Sequence, residues 1–317
     1  MERTDVLLEC PVCSEKFGAE ESKSVPYQTE KFFTGAQRPR SICFCPKCGV
    51  GVGVPVLNDE KISELYSEGG YWGNSDFKIF LPKYNPGHYA LAKARWSFVE
   101  PFLQKKSISI LDIGAGHGFF GIAALESRAI ALKEYCAIEQ DVIFQGSLKR
   151  TWGRHFPQVK LQVEESLEKI TGKYDLIIFS HILEHLYHPK DMLKIAVEKL
   201  AEDGLLFIDL PNQDYIFKRD VFPHVLFFNI SCLKQLFQKS ELNIKSISCY
   251  GRDMDRSPMH YKNEKKTWKQ VEKVVYKARY ILPLTLSTAF FDWYLGGNKQ
   301  NSNGTWIRAV VQKSPIN

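Results

Sequence analysis

The 317-residue chain predicts an α/β fold, a parallel sheet carrying helices, with a small metal-binding module in front of it. Three observations point there. Short apolar runs alternate with helical periods from about residue 107 to 250, the first of those runs empties into a glycine-rich turn, and two CxxC pairs fall within the first fifty residues. At 44% apolar and 25% charged, the composition is that of a folded chain with its own core, which excludes disordered, collagen-like and coiled-coil readings. The length suits two domains, or one large domain with an appendage.

The module comes first, over 1–57. Cys10-Pro-Val-Cys13 is answered by Cys43-Phe-Cys45-Pro-Lys-Cys48-Gly49, and each CxxC turn presents two thiolates of the four that tetrahedral Zn²⁺ takes. Cys10, Cys13, Cys45 and Cys48 are the expected ligands of a zinc ribbon, with Cys43 a spare thiol able to replace Cys45. The 31 residues between the pairs exceed the span of a minimal finger, while Pro11, Pro46 and Gly49 suit its knuckle turns. Four protein ligands leave no open position, so the metal is expected to be structural. A redox CxxC finds no thioredoxin-like context here. The start, MERTDVLLECPVC, carries charge where a signal peptide needs an apolar run, which predicts a cytoplasmic chain with reduced thiols.

A connector over 58–106 is rich in aromatic residues, Tyr71, Trp72, Tyr84 and Tyr89 with His88 among them, and takes on a helical period from Ala90 to Leu103. Then Ser107–Ile113 (SISILDI) reads as a strand buried on both faces and ends in Gly114-Ala-Gly116-His-Gly118, with a helix from about Phe119 to Arg128. There the backbone can approach a ligand closely, and N–H groups at the helix start face a polar or anionic group. A second strand, Tyr135–Ile138, ends in Glu139, twenty-five residues after Gly114 and placed to accept two ribose hydroxyls. Together these indicate an adenosine-containing cofactor. The pattern GxGxxG over 116–121 also fits nicotinamide dinucleotides and decides nothing alone.

The third strand, Val159–Val163, is followed by Glu164, Glu165 and Ser166, with Glu165 a candidate adenine contact. The fourth, Tyr174–Phe179, runs into Ser180-His181-Ile-Leu-Glu184-His185-Leu-Tyr-His188-Pro189; a helix over 190–200 and a strand over 205–210 come next. Asn243–Tyr250 reads as the sixth strand and Thr305–Gln312 as its hairpin partner, which leaves roughly 54 inserted residues at about 251–304.

On these residues the chain resembles the class I S-adenosylmethionine-dependent methyltransferases. The matching motifs are LDIGAGHG (111–118), AIEQ (137–140) and YDLIIFSHILEHLYHP (174–189), and the resemblance covers about 88–250. It implies a Rossmann-like sheet of seven strands, the last one antiparallel, and S-adenosylmethionine held by Asp112, Gly114, Gly116, Gly118, Glu139, Glu165, Ser180 and His181. CPKCGVGVGVPVLNDEKISELYSEGGYW (45–72) looks like the zinc-ribbon leader of many bacterial enzymes of this class that act on sugars, surface-polysaccharide intermediates or other small metabolites.

Methyl transfer from a sulfonium is an in-line displacement, so positioning is the larger part of catalysis and only a proton must be handled. His181, His185, His188 and His224 are the candidates at the sheet edge, with His224 and then His181 preferred as base. By resemblance, the loop after the fifth strand closes over the acceptor with a histidine. Sugar C-methyltransferases of this layout carry Glu-His there, whereas this chain has Pro223-His224, which favours methylation of oxygen. The expected acceptor is a hydroxyl of a sugar, nucleotide-sugar or surface-glycan intermediate.

The net charge of +6 sits in the tail: residues 251–317 hold twelve basic and five acidic groups. A basic amphipathic helix at 265–280, followed by an apolar run at 281–295 that Pro283 and Asp292 interrupt, is too short to span a bilayer. It reads either as a helix docked on its own domain or as a peripheral contact with the inner membrane face. Two other functions compete. An RNA methyltransferase would use the zinc module for recognition, but that module is acidic overall and poor in phosphate-binding cations. A non-catalytic S-adenosylmethionine-binding protein would keep the fold and lose transfer.

Overall fold

The computed structural model describes residues 7–29, 38–57, 60–62, 81–254, 266–278 and 281–314. Tyr71 and Trp72 of the connector lie outside them.

The first region holds β1 (Leu7–Glu9), β2 (Lys16–Gly18), β3 (Ser24–Pro26), β4 (Ser41–Phe44) and β5 (Gly51–Val54). Helix α1 (Pro86–Val99) begins earlier than its apolar period suggests, because Pro86 at the first helical position has φ preset and lacks the N–H that would be orphaned there. The second region then alternates β6 (Ser107–Ile113), α2 (Phe119–Ser127), β7 (Ala131–Ile138), α3 (Val142–His155), β8 (Lys160–Glu164), β9 (Tyr174–Ser180), α4 (Pro189–Glu198) and β10 (Leu200–Pro211). After it come β11 (Leu226–Phe227), α5 (Ile230–Lys239), β12 (Leu242–Asp253), the inserted α6 (Lys266–Ala278) and α7 (Leu284–Leu295), and β13 (Gly304–Lys313).

Seven strands form one sheet in the order β12-β13-β10-β9-β6-β7-β8. The pairs among β6 to β10 are parallel, and β13 runs antiparallel to both β10 and β12. The sequence reading of seven strands with the last one reversed holds. The chain starts at β6, moves out to β8 and crosses back to β9, so the order reverses between β6 and β9; ligands of open α/β sheets bind at such a switch point.

Strand side chains alternate between two cores. Leu111, Ile113, Ile177, Phe179, Leu206 and Ile208 pack with α4, α5 and the cysteine module, while Ile108, Ile110, Leu176, Ile178 and Phe207 pack with α1, α2 and α3. With both faces covered, the strands read as unbroken apolar runs. Exceptions are the edge strands β8 and β12 and the start of β7, where Lys133 and Glu134 follow buried Leu132; that polar half escapes a reading based on apolar runs.

The module is not a separate bead. Its sheet has the order β11-β5-β4-β3, so the outermost strand comes from the loop after β10. Among the described residues, no helix is long and apolar enough to cross a membrane.

Candidate functional site

A cavity of about 600 Å³ opens at the C-terminal ends of β6, β7 and β9. The turn after β6 builds its floor. Gly114, Gly116 and Gly118 have φ of +70, +52 and +67, a region that side chains disfavour. A Cβ on Gly118 would also lie 2.7 Å from Leu148 Cδ2, whereas one on Gly116 would meet nothing within 4 Å. Gly116 is therefore the point where a ligand can approach the backbone.

The Gly116 N–H donates to Glu139 Oε2 at 2.9 Å, and the Asp141 N–H to Oε1 at 3.1 Å. Burial raises the Glu139 pKa, and those two N–H bonds work against the rise. Asp112, buried below the turn, accepts the Tyr135 hydroxyl at 2.5 Å, and burial pushes its carboxyl up to about 7. Glu165 stands on the rim, its side chain 62% exposed and paired with Lys169 at 2.8 Å.

Ser180 closes β9 and lines the cavity. His181 follows with φ +57; its Nδ1 is 3.1 Å from Glu184 Oε1 and its Nε2 is 3.5 Å from Asp209 Oδ2. Burial works to raise the Glu184 pKa, but His181 and the neighbouring rings bring it below the ordinary value. His185 lies edge-on to His224, ring centres 4.7 Å apart, and burial pulls its pKa down to about 3. His188 is exposed at the N-terminus of α4, against Tyr187 and away from the cavity.

His224 is buried at the cavity wall with Nδ1 2.9 Å from Asp214 Oδ2. Asp214 also meets Lys218 at 2.9 Å; against the effect of burial, Lys218 and His224 hold its carboxyl well below the usual range. Asp214 has no signature in the sequence. Ten positions separate it from His224, and only the fold of the loop brings the two together.

Behind His181 lies a second group that sequence spacing does not reveal. Asp209, at the end of β10, accepts Arg95 Nε from α1 at 2.8 Å and Arg308 Nε from β13 at 2.9 Å. Burial would raise its pKa, but Arg95 and Arg308 outweigh it. Three elements far apart in the chain thus converge on one carboxylate.

The two CxxC turns bring their thiols together. Sγ atoms of Cys10, Cys13, Cys45 and Cys48 all lie within 4.8 Å of one another, with Cys10–Cys48 and Cys13–Cys45 at 3.5 Å. Cys43 points elsewhere, its thiol donating to the Ala19 carbonyl at 3.6 Å, so Cys45 takes the third place. Four buried thiols around one point are the soft, tetrahedral donor set that fits Zn²⁺ and leaves no open position. A second group, Glu184, His185 and His224, also has ligand atoms within 4.8 Å of one another.

The module grips the His224 loop. Tyr27 Oη donates to the His224 carbonyl at 2.8 Å, Val221 N to the Gln28 carbonyl at 3.0 Å, and Gly53 N to the Val225 carbonyl at 2.9 Å. Val225 N in turn donates to the Glu184 carbonyl at 2.8 Å, tying the loop to the turn after β9.

The methyltransferase-domain family matches residues 87–247. Among curated proteins, the mitochondrial ubiquinone biosynthesis O-methyltransferase of Saccharomyces cerevisiae is 25% identical over 146 residues, covering 44% of this chain and 45% of that protein. The ubiquinone biosynthesis O-methyltransferase of Coxiella burnetii is 28% identical over 127 residues, covering 38% of this chain and 51% of that protein. The chain thus spans about half the length of the curated relatives it matches. Among solved structures, an S-adenosylmethionine-dependent methyltransferase from Clostridium acetobutylicum aligns at 10% identity and a TM-score of 0.45, covering 80% of this chain and 98% of that one.

Proposed function

Because the chain belongs to the methyltransferase-domain family, we propose that it transfers the methyl group of S-adenosylmethionine to a hydroxyl of a small molecule, with His224 as general base. The observation that carries this reading is one of placement: the Asp214–His224 pair, the Gly116 turn and Glu139 border the same cavity or directly support its wall.

Bound there, S-adenosylmethionine would supply a methyl group already activated by its sulfonium. The chain does the rest. Glu139 would give up its Gly116 and Asp141 N–H partners to take the ribose hydroxyls, Gly116 leaves room for the ligand, and Ser180 and His181 would flank it. Asp214 Oδ2, 2.9 Å from His224 Nδ1, would hold the ring from that side and leave Nε2 to take the acceptor proton. As the acceptor oxygen takes the methyl carbon and sulfur leaves with the bonding pair, His224 would take the hydroxyl proton. His181 is held between Glu184 and Asp209, which suits it to positioning more than to proton transfer.

Oxygen as the methylated atom is supported by Pro223-His224 and by the names of the curated relatives. A sugar or surface-glycan hydroxyl is the first acceptor to try, on the strength of the cysteine leader; a ubiquinone precursor is the second, on the relatives' names. The four cysteines we assign to one structural zinc.

The test uses methyl-labelled S-adenosylmethionine and fractionated extract of the source cells. Label entering small-molecule, glycan or lipid fractions is the expected result; label in RNA would replace the proposal with the nucleic-acid reading, and cofactor binding without label would favour a non-catalytic protein. His224→Asn and Asp214→Asn are expected to lower kcat by on the order of 10²–10⁴-fold and 10-fold or more respectively, with cofactor affinity unchanged. Gly116→Arg fills the open edge and should abolish cofactor binding in calorimetry.

A further inference from the structure

The insertion between β12 and β13 adds two helices beside α1 that no step of the proposed reaction uses. Helix α7 buries Ser287, Thr288, Phe291 and Tyr294, and Phe291 and Tyr294 pack with Ala90 of α1. Its other side leaves Leu286 59% and Trp293 64% exposed, with Phe290 stacked on Tyr294 and tilted against Trp293. Ile281, before the helix, is 89% exposed.

Helix α6 repeats the arrangement. Val275 packs toward the Phe291 cluster, while Val274 is 64% exposed and Val271 also faces out. Lys273 and Lys277 stand exposed beside them. The one acid of α7, Asp292, accepts both its hydrogen bonds from Asn298 at 3.1 Å, off this stripe.

We propose that this face docks on the surface of an anionic lipid bilayer. Single exposed apolar side chains are ordinary, but five in one insertion, a tryptophan among them, mark a contact surface. Its charge selects the occupant: Lys273 and Lys277 stand exposed beside the stripe, and lysines flanking an apolar stripe can lay their stems along it while their ammonium groups meet lipid phosphates. A two-fold contact with a second copy would instead bring two like-charged helices together. Neither helix is long enough to span a bilayer, so they lie in its interface with Trp293 at headgroup level. Helix α1, which carries α7 on one side, lines the cavity through His88, Leu91 and Arg95, so the docked face and the site share an element. None of this depends on methyl transfer.

The experiment floats the full chain with vesicles of phosphatidylcholine, alone or mixed with phosphatidylglycerol. Binding to the anionic vesicles, weakened by salt, is expected. Lys273→Gln with Lys277→Gln should reduce it on the order of twenty-fold, since each basic group near such a surface contributes roughly fivefold. Leu286→Ser with Trp293→Ser should remove it while leaving the melting temperature in place, because both side chains already face solvent. Failure of the wild-type chain to float, equal binding to neutral vesicles, or undiminished binding by the Leu286/Trp293 variant would overturn the proposal. A dimer in sedimentation that the same variant dissolves would assign the face to a second copy instead.

Discussion

His117 and His185 are held neutral inside the protein, both pulled down to about 3 by burial. The unfolded chain takes protons at these rings below about pH 6.5 and the folded chain does not. Their contribution to stability is therefore complete above pH 6.5 and is lost as pH falls toward 3. Asp112 acts in the opposite sense: pushed up to about 7, it favours the folded state at acid pH and loses that advantage as pH rises through 7. Two histidines outweigh one aspartate, so urea unfolding should show stability declining below about pH 6.5. His117→Gln should reduce that slope by about 1.4 kcal/mol per pH unit. At this scale the sequence was informative where chemistry is local: Gly114, Gly116, Gly118 and Glu139 announce themselves by their distance from a strand end. Asp209 does not, because its partners come from elsewhere in the chain, and Asp214 does not, because only the fold of its own loop brings it to His224.

Among the elements, the cysteine module and the loop after β10 form one sheet through β11. The CxxC pairs were legible because each is a local turn; the choice between Cys43 and Cys45 was not, because Cys43 lies in β4 and Cys45 just beyond it, and only the folded turn decides whose sulfur reaches the other pair. Metal analysis should find one zinc per chain, retained in Cys43→Ser and lost in Cys45→Ser. Tyr27 is the module's direct hold on the candidate base, at 2.8 Å from the His224 carbonyl. Tyr27→Phe removes one buried hydrogen bond, worth about 1 kcal/mol. We expect a several-fold fall in kcat with unchanged cofactor affinity, and a calorimetric titration of the variant beside its turnover would separate the two.

Across the whole molecule, Arg308 connects the last strand to everything built before it. It is fully buried, holds Asp209 with its Nε, and donates through Nη1 to the carbonyls of Ala94 in α1 at 3.3 Å and Gly297 after α7 at 2.8 Å. Removing Arg308 leaves the buried Asp209 with Arg95 as its one guanidinium partner among the described residues, so the cost falls at the low end of that for a broken buried ion pair, about 3 kcal/mol. Arg308→Met should destabilise the chain by that amount in urea unfolding. It should also loosen His181, which leans on the same carboxylate at 3.5 Å.

By itself the sequence determined the seven strands of the main sheet, the glycine turn, the acid that follows β7 and the four-cysteine set. Each is written in consecutive residues, where periodicity, φ preference and turn spacing act over a few positions. Only the tertiary structure decided that Asp214 lies beside His224, that Arg95 and Arg308 share Asp209, that β11 completes the cysteine module's sheet, and that α6 and α7 leave Val274 and Leu286 exposed. Those facts depend on which distant segments the buried sheet brings together, and burial is a property of the assembled chain, not of any one stretch of it.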